Sequence, residues 1–471
     1  MRRSAVIYEI NAWVWLNALS RAHGRTVRLD NVPGEEWDRL GSWNFDAVWL
    51  MGVWERSPLG RQIASTLPEL LTEYRKALPD FTLNDVVGSP YCIHRYVVDD
   101  YFGGPDALRI AREELARRGM RLILDFVPNH VARDHPWTTE HPEFFVREPD
   151  GRIAYGRDPY CAPWTDVAQI NVFHAGVQTA AAATLMDIAS QCDGVRCDMA
   201  MLVLNDVFQR TWGDGAGPRP AEEYWSVVIP TVREKHRDFT MIAEVYWDLE
   251  SAMQQLGFDY CYDKRLLDRL EHDNAASIRA HLTAELNYQR GLIRMIENHD
   301  EKRAADAFGE AKERAAAILI STLPGARLYH DGQFEGRKVK LPVQLGRRPE
   351  EPVDGELIEF YHRLLAACSG DVFRDGDWQL LNASGWPDNT TFENLLVCCR
   401  RLGDSRAVIA VNYSDAPAQG RVRLPWDDLA SREWRLSDRL TGDVFVRDGN
   451  EMIGDGVFVN IGPWQAHFLE F

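Results

Sequence analysis

No apolar run in this chain approaches the length needed to span a bilayer, which excludes a transmembrane helix as an organising element. Cysteine is sparse and unpatterned. The eight cysteines, at 92, 161, 192, 197, 261, 368, 398 and 399, show no metal-ligand spacing, and the last two are neighbours in an apolar run. That argues against a zinc motif or a disulfide framework and for free thiols acting as small hydrophobes. Positive charge is in deficit: 53 lysines and arginines face 71 acids, for a net charge of -18. A surface so negative is not attracted to nucleic acid or to an anionic membrane, and neither is expected as a partner. A neutral substrate remains unopposed. Met1-Arg2-Arg3 runs straight into Val6-Ile7-Tyr8-Glu9-Ile10, too short and too polar a stretch for a secretory signal, so a cytoplasmic location is expected. There is no internal repeat, no low-complexity segment, and no glycine-rich phosphate loop after the first apolar run.

What is present is a chain of 471 residues, 45% hydrophobic, long enough for one large barrel and one or two smaller domains. Sixteen tryptophans and fifteen tyrosines offer flat apolar faces that suit sugar rings, although most such side chains simply fill cores. Strand-like apolar runs recur at 5–10, 47–51, 122–126, 194–198, 241–245, 292–296 and 326–329. Helix-like segments separate most of them. Over 105–118 a proline follows two glycines, an acid stands in the first turn and arginines in the last, the signals of a helix start and stop, and a second helix is expected over 175–191. Apolar strands alternating with helices imply a parallel sheet covered on both faces. This many within some 350 residues favours a closed (β/α)8 barrel over an open doubly wound sheet.

The catalytic face of such a barrel lies at the C-terminal ends of its strands, where the polar residues of this chain fall. Asp125 closes one run and leads to Asn129-His130, Arg196 and Asp198 close the next, Glu244 closes a third, and His299-Asp300 follow a fourth. Side chains alternate along a strand, so Arg196 and Asp198 share a face. An arginine so placed keeps a carboxylate ionised and aimed, as a nucleophile needs, though an ordinary buried ion pair has the same signature. Residues 131–171 form an irregular insertion rich in aromatic, proline and charged residues, expected as a small domain or lid. The barrel is expected over 1–130 and 172–365, and a C-terminal antiparallel β domain over 366–471.

Taken together, Asp125-Phe126-Val127-Pro128-Asn129-His130, Gly194-Val195-Arg196-Cys197-Asp198, Glu244-Val245 and Glu297-Asn298-His299-Asp300 resemble, in order, the four short motifs of the α-amylase superfamily, glycoside hydrolase family 13. The resemblance implies a (β/α)8 barrel with an inserted domain B, a C-terminal β-sandwich and a retaining mechanism on α-linked glucosides. It also implies that Asp198 is the nucleophile, Glu244 the general acid/base, and Asp300 a third carboxylate that fixes sugar hydroxyls. The chemistry agrees, since retention requires two carboxyls flanking the bond, and burial would raise the pKa of Glu244 while Arg196 keeps Asp198 ionised. His130 and His299 match the two histidines that bind the sugar before the scissile bond, and Tyr91 resembles the aromatic that stacks beneath it. No cofactor is needed for the chemistry. Asn129 stands where many members bind a structural calcium, which the resemblance allows here.

The chain departs from the family pattern in two places. Met199-Ala200-Met201-Leu202 replaces the Lys-His pair that contacts leaving-side sugars, and Cys92 stands where many exo-acting members carry an acid. The first reading is therefore an α-amylase-like hydrolase of α-1,4-glucans or maltooligosaccharides. A transglycosylase, or an α-glucosidase on maltodextrin, trehalose or sucrose, would use the same carboxylates. An inactive sugar-binding barrel is the remote alternative, opposed by the intact set Asp198, Glu244 and Asp300.

Overall fold

Strands buried on both faces are written as unbroken apolar runs, and all five residues of Ala47–Met51 are buried. The computed structural model describes residues 4–471 and closes eight parallel strands into a barrel in sequence order. They are β1 (Val6–Asn11), β2 (Ala47–Met51), β3 (Arg121–Phe126), β4 (Gly194–Cys197), β5 (Thr240–Ala243), β6 (Tyr260–Tyr262), β7 (Leu292–Arg294) and β8 (Ala326–His330). Seven match the apolar runs of the sequence. The eighth, β6, is a three-residue Tyr-Cys-Tyr strand between Asp259 and Asp263, too short to register as a run.

Helices follow the strands as the capping signals require. The helix Gly104–Arg117 is entered through two left-handed glycines, Gly103 (φ 98°) and Gly104 (φ 72°), and Ala175–Gln191 begins where the His174 side chain accepts from Gly176 N–H at 3.2 Å. By its internal contacts the chain divides into two compact units. The first holds residues 7–262 with 339–350, and the second holds 263–338 and 351–471 with the short segment ending at Val6.

In the first unit, the segment expected to be irregular carries a three-stranded antiparallel sheet with Trp164–Gln169 between His130–Ala132 and Tyr155–Gly156. Its strands are two to six residues long and its alternation is broken by a bulge, which is why the sequence does not announce it. A second small sheet, not expected, pairs Trp54–Arg56 with Ile93–Val98. In the second unit, the C-terminal residues form a six-stranded and a three-stranded sheet around a core that includes Leu395, Val397, Val408, Val457 and Ile461. All eight cysteines are free thiols, and only Cys161 is exposed. Among the described residues no helix is long and apolar enough to cross a membrane.

Candidate active site

Parallel pairing sets the level of the acids. Arg196 on β4 is in register with Asp125 on β3 and with Ile242 on β5. The ladder continues one residue further, with Asp198 N–H donating to Phe126 O at 2.8 Å and Glu244 N–H to Cys197 O at 3.1 Å. Asp198 and Glu244 therefore stand side by side at the ends of adjacent strands.

Arg196 joins them. Its side chain is buried, with Nη1 2.6 Å from Asp198 Oδ1 and Nη2 2.7 Å from Glu244 Oε2. The guanidinium lies 5.0 Å over the Tyr91 ring, 5.4 Å from Trp49 and 5.8 Å from Tyr262, and its Nε donates to the Tyr262 hydroxyl at 3.3 Å. Burial works against the charge of Arg196, but the attraction of Glu244, Tyr91, Tyr262 and Asp198 outweighs it and holds the pKa well above its ordinary value. Arginine is suited to this place because it stays charged and offers two ends to two carboxylates. Glu244 is as buried as its strand implies, at 3% exposed. The sequence did not reveal its supports: Met199 N–H donates to Oε2 at 2.6 Å and the Tyr246 hydroxyl to Oε1 at 2.7 Å.

Tyr91, half-buried, faces this cluster, and the His130 ring hydrogen-bonds the Tyr91 main chain. His130 is buried 5.3 Å from Trp164, and burial, only partly offset by Asp166, lowers its pKa to about 4, so it is neutral at pH 7. Asp125 is structural. Its carboxylate accepts from Trp49 Nε1 at 3.1 Å and Gly52 N–H at 2.8 Å, which pins the end of β2.

In the second unit, His299 and Asp300 follow β7 as an adjoining pair, with His299 Nε2 2.9 Å from Asp300 Oδ2. Asn298 Oδ1 accepts from the main-chain N–H groups of Asp300 and Glu301, both at 2.9 Å, and so shapes the turn that presents Asp300. The Asp300 side chain is 43% exposed while His299 is buried. Glu297, fully buried, meets Arg303 at 3.1 Å and His330 at 3.0 Å.

The calcium that the resemblance allows at Asn129 does not fit the side chains there. Asn129 Oδ1 accepts from Gln169 Nε2 at 2.9 Å while its Nδ2 donates to Gln169 Oε1 at 3.3 Å. A cation at that oxygen would displace a donor amide. Among the described residues no three His, Cys, Asp or Glu gather in a way that could hold a metal. Tyr246, Tyr262 and Trp49 were not singled out in the sequence. Alternation from Glu244 would have found Tyr246, two residues on.

The family model for the α-amylase catalytic domain matches residues 45–154. The chain is 24% identical over 375 residues to α-amylase MalA of Haloarcula japonica, covering 75% of this chain and 53% of that protein. It is 27% identical over 436 residues to an α-1,4-glucan:maltose-1-phosphate maltosyltransferase of Rhodospirillum rubrum, covering 85% of this chain and 56% of that protein. It thus spans about half the length of these curated relatives. Among solved structures, the maltogenic α-amylase AmyB of Thermotoga neapolitana superposes with a TM-score of 0.72 at 18% identity, covering 100% of this chain and 99% of that one. The α-amylase of Geobacillus thermoleovorans, complexed with acarbose, gives the same TM-score and identity, covering 100% and 98%.

Proposed function

We propose that the chain is an enzyme of the α-amylase family, a retaining α-glucoside hydrolase acting on α-1,4-glucans or maltooligosaccharides. The observation that carries the reading is the one guanidinium, Arg196, on which Asp198 and Glu244 both converge. Retaining enzymes keep their two carboxyls about 5–5.5 Å apart, against about 6.5–9.5 Å in inverting ones, and a pair bridged by a single guanidinium suits the shorter span. Asp198, charged beside Arg196, attacks the anomeric carbon. Glu244 protonates the departing oxygen and then draws the proton from the water that releases the sugar. Asp300 beside His299 is the third carboxylate. Tyr91, His130 and His299 hold the sugar that becomes covalently bound, and His130, being neutral, does so without adding charge. The eight free thiols support a cytoplasmic location.

Asp198→Asn tests the reading directly, because the swap is nearly isosteric and no glycosyl-enzyme can form without the carboxylate. Turnover of maltoheptaose should fall by several orders of magnitude while the circular dichroism spectrum stays unchanged. A rate within about tenfold of the parent would refute the nucleophile. The maltosyltransferase relative favours a second reading, transfer to a sugar hydroxyl in place of water. Product sizing from maltoheptaose, with and without maltose 1-phosphate, separates the two: products only shorter than the substrate mean hydrolysis, and longer chains mean transfer. Trehalose and sucrose in the same panel test the glucosidase alternative.

A further inference from the structure

Leaving a large ring in water forgoes the gain of burying it, and the second unit leaves two side by side. Trp386 and Phe458 are each 39% exposed, with ring centroids 6.4 Å apart and planes inclined by 32°. Among the described residues only three of the exposed large hydrophobics are aromatic, and these two pair with each other, while the third, Tyr160, packs on Trp247. Strand alternation explains how Phe458 comes to the surface. In Val457–Ile461, Val457, Val459 and Ile461 enter the core and turn Phe458 and Asn460 outward, and in Ala418–Val422 the same alternation turns out Gln419 and Arg421. Arg421 is in register with both Phe458 and Ser384, and Gln419 with Asn460, so these side chains share the outer face of the three-stranded sheet. The turn over 385–389 brings Trp386 onto that face. Asn389 N–H donates to Trp386 O at 2.8 Å, Asn389 Nδ2 ties the turn to Gln419 O at 3.3 Å, and glycine is required at 385 because a Cβ there would lie 2.4 Å from Asn389 O.

We propose that Trp386 and Phe458 form a platform that binds an α-1,4-glucan chain through side chains outside the catalytic set. A glucose ring presents C–H groups on its faces and hydroxyls around its rim, so an aromatic face takes the ring and a polar fringe takes the hydroxyls. The fringe here is amide and hydroxyl: Gln419 Nε2 donates to Asn460 Oδ1 at 3.3 Å, which leaves the Gln419 carbonyl oxygen and the Asn460 N–H groups for a ligand, and Ser384 is exposed beside them. Arg421 is already paired with Glu451 at 3.2 Å. Such a fringe suits a neutral ligand rich in hydroxyls. A nucleic acid would also stack on the rings, but its phosphates would meet a protein of net charge -18. The inclination of the rings selects the linkage, because an α-1,4 chain curves from one glucose to the next while a β-1,4 chain is a flat ribbon that coplanar rings would fit. This deepens the reading above by naming a polymer as the substrate that the protein holds, a second point of attachment that raises the effective concentration of chain at the enzyme.

Native electrophoresis of the full-length chain carrying Asp198→Asn, which leaves the polymer undigested, tests this in gels containing amylopectin or hydroxyethyl cellulose. Amylopectin should retard the protein and hydroxyethyl cellulose should not. Trp386→Ala and Phe458→Ala should each weaken the affinity for amylopectin by about tenfold, and Trp386→Phe should restore most of it. Both rings are exposed, so the urea unfolding midpoints should stay where they were. With Asp198 in place, the two alanine variants should turn over maltotriose as the parent does and show a raised KM on amylopectin alone. An affinity for amylopectin within about twofold of the parent when both rings are removed overturns the proposal, as does equal retardation by hydroxyethyl cellulose. Retardation that the alanine variants abolish, in a protein that turns over no α-glucoside, supports the platform and overturns the hydrolase reading instead.

Discussion

At the scale of single residues, a fully buried arginine between two carboxylates is rarely the most stable way to fill a core, since an apolar set of equal volume is often as good or better. Under the proposed mechanism Arg196 has a chemical reason, since it sets two carboxyls side by side and keeps the nucleophile Asp198 charged. The Asn129–Gln169 pair is the contrasting case, in which two neutral amides satisfy each other and join the end of β3 to the small inserted sheet. Asn129→Ala leaves the buried Gln169 amide short of partners and should cost about 1–3 kcal/mol in urea unfolding. Chelation of the parent with EDTA should leave its unfolding midpoint where it was. A large fall on chelation, recovered by added calcium, would mean that a cation and not the amide pair makes this join. Asn129 itself was legible in its motif, but its partner was not, because the two lie 40 positions apart and only the fold brings them together.

At the scale of elements, legibility followed length and burial. The helix expected over 175–191 is Ala175–Gln191 to the residue, because it is long enough to carry several turns of pattern. Tyr260–Tyr262 escaped because three residues carry no period at all, although its Tyr262 hydroxyl accepts from Arg196. Long-range caps are equally invisible in sequence. The helix Glu310–Thr322 has no basic residue in its last turn, and the charge comes from Arg400 on the strand Leu395–Leu402. Arg400 Nη2 donates to Thr322 O at 2.9 Å and Leu323 O at 3.1 Å, within the second unit. Burial lowers the pKa of Arg400 to about 10, so it stays charged at neutral pH. Arg400→Met retains most of the volume and should cost about 2–3 kcal/mol through the lost carbonyl partners and helix-end charge. A loss below about 0.5 kcal/mol in chemical denaturation would show that the carbonyls find other donors.

At the scale of the whole molecule, buried titratable groups give stability a pH dependence that the net charge of -18 does not foretell. His130 and His135 have pKa values lowered to about 4, chiefly by burial, against an ordinary value of 6.5. Between those values the unfolded chain binds more protons than the native one, so stability falls as the pH drops from about 6.5 toward 4, by on the order of 3 kcal/mol for each histidine. Glu313 acts in the opposite sense. Buried, and then repelled by the charge of Glu297, its carboxyl is pushed up from 4.5 to about 8, while the Tyr361 hydroxyl donates to it at 3.3 Å. Here the native state binds the extra proton, so this contribution is fully present below about pH 4.5 and is lost as the pH rises to about 8, by on the order of 4–5 kcal/mol. Glu313→Gln keeps the shape and the hydrogen-bonding capacity but cannot ionise. Parent and variant should therefore match closely in urea unfolding at pH 4.5, and the variant should be the more stable by several kcal/mol at pH 9. The same stability difference at both pH values would mean that Glu313 ionises in the folded protein as readily as in the unfolded chain, and that the alkaline loss arises elsewhere.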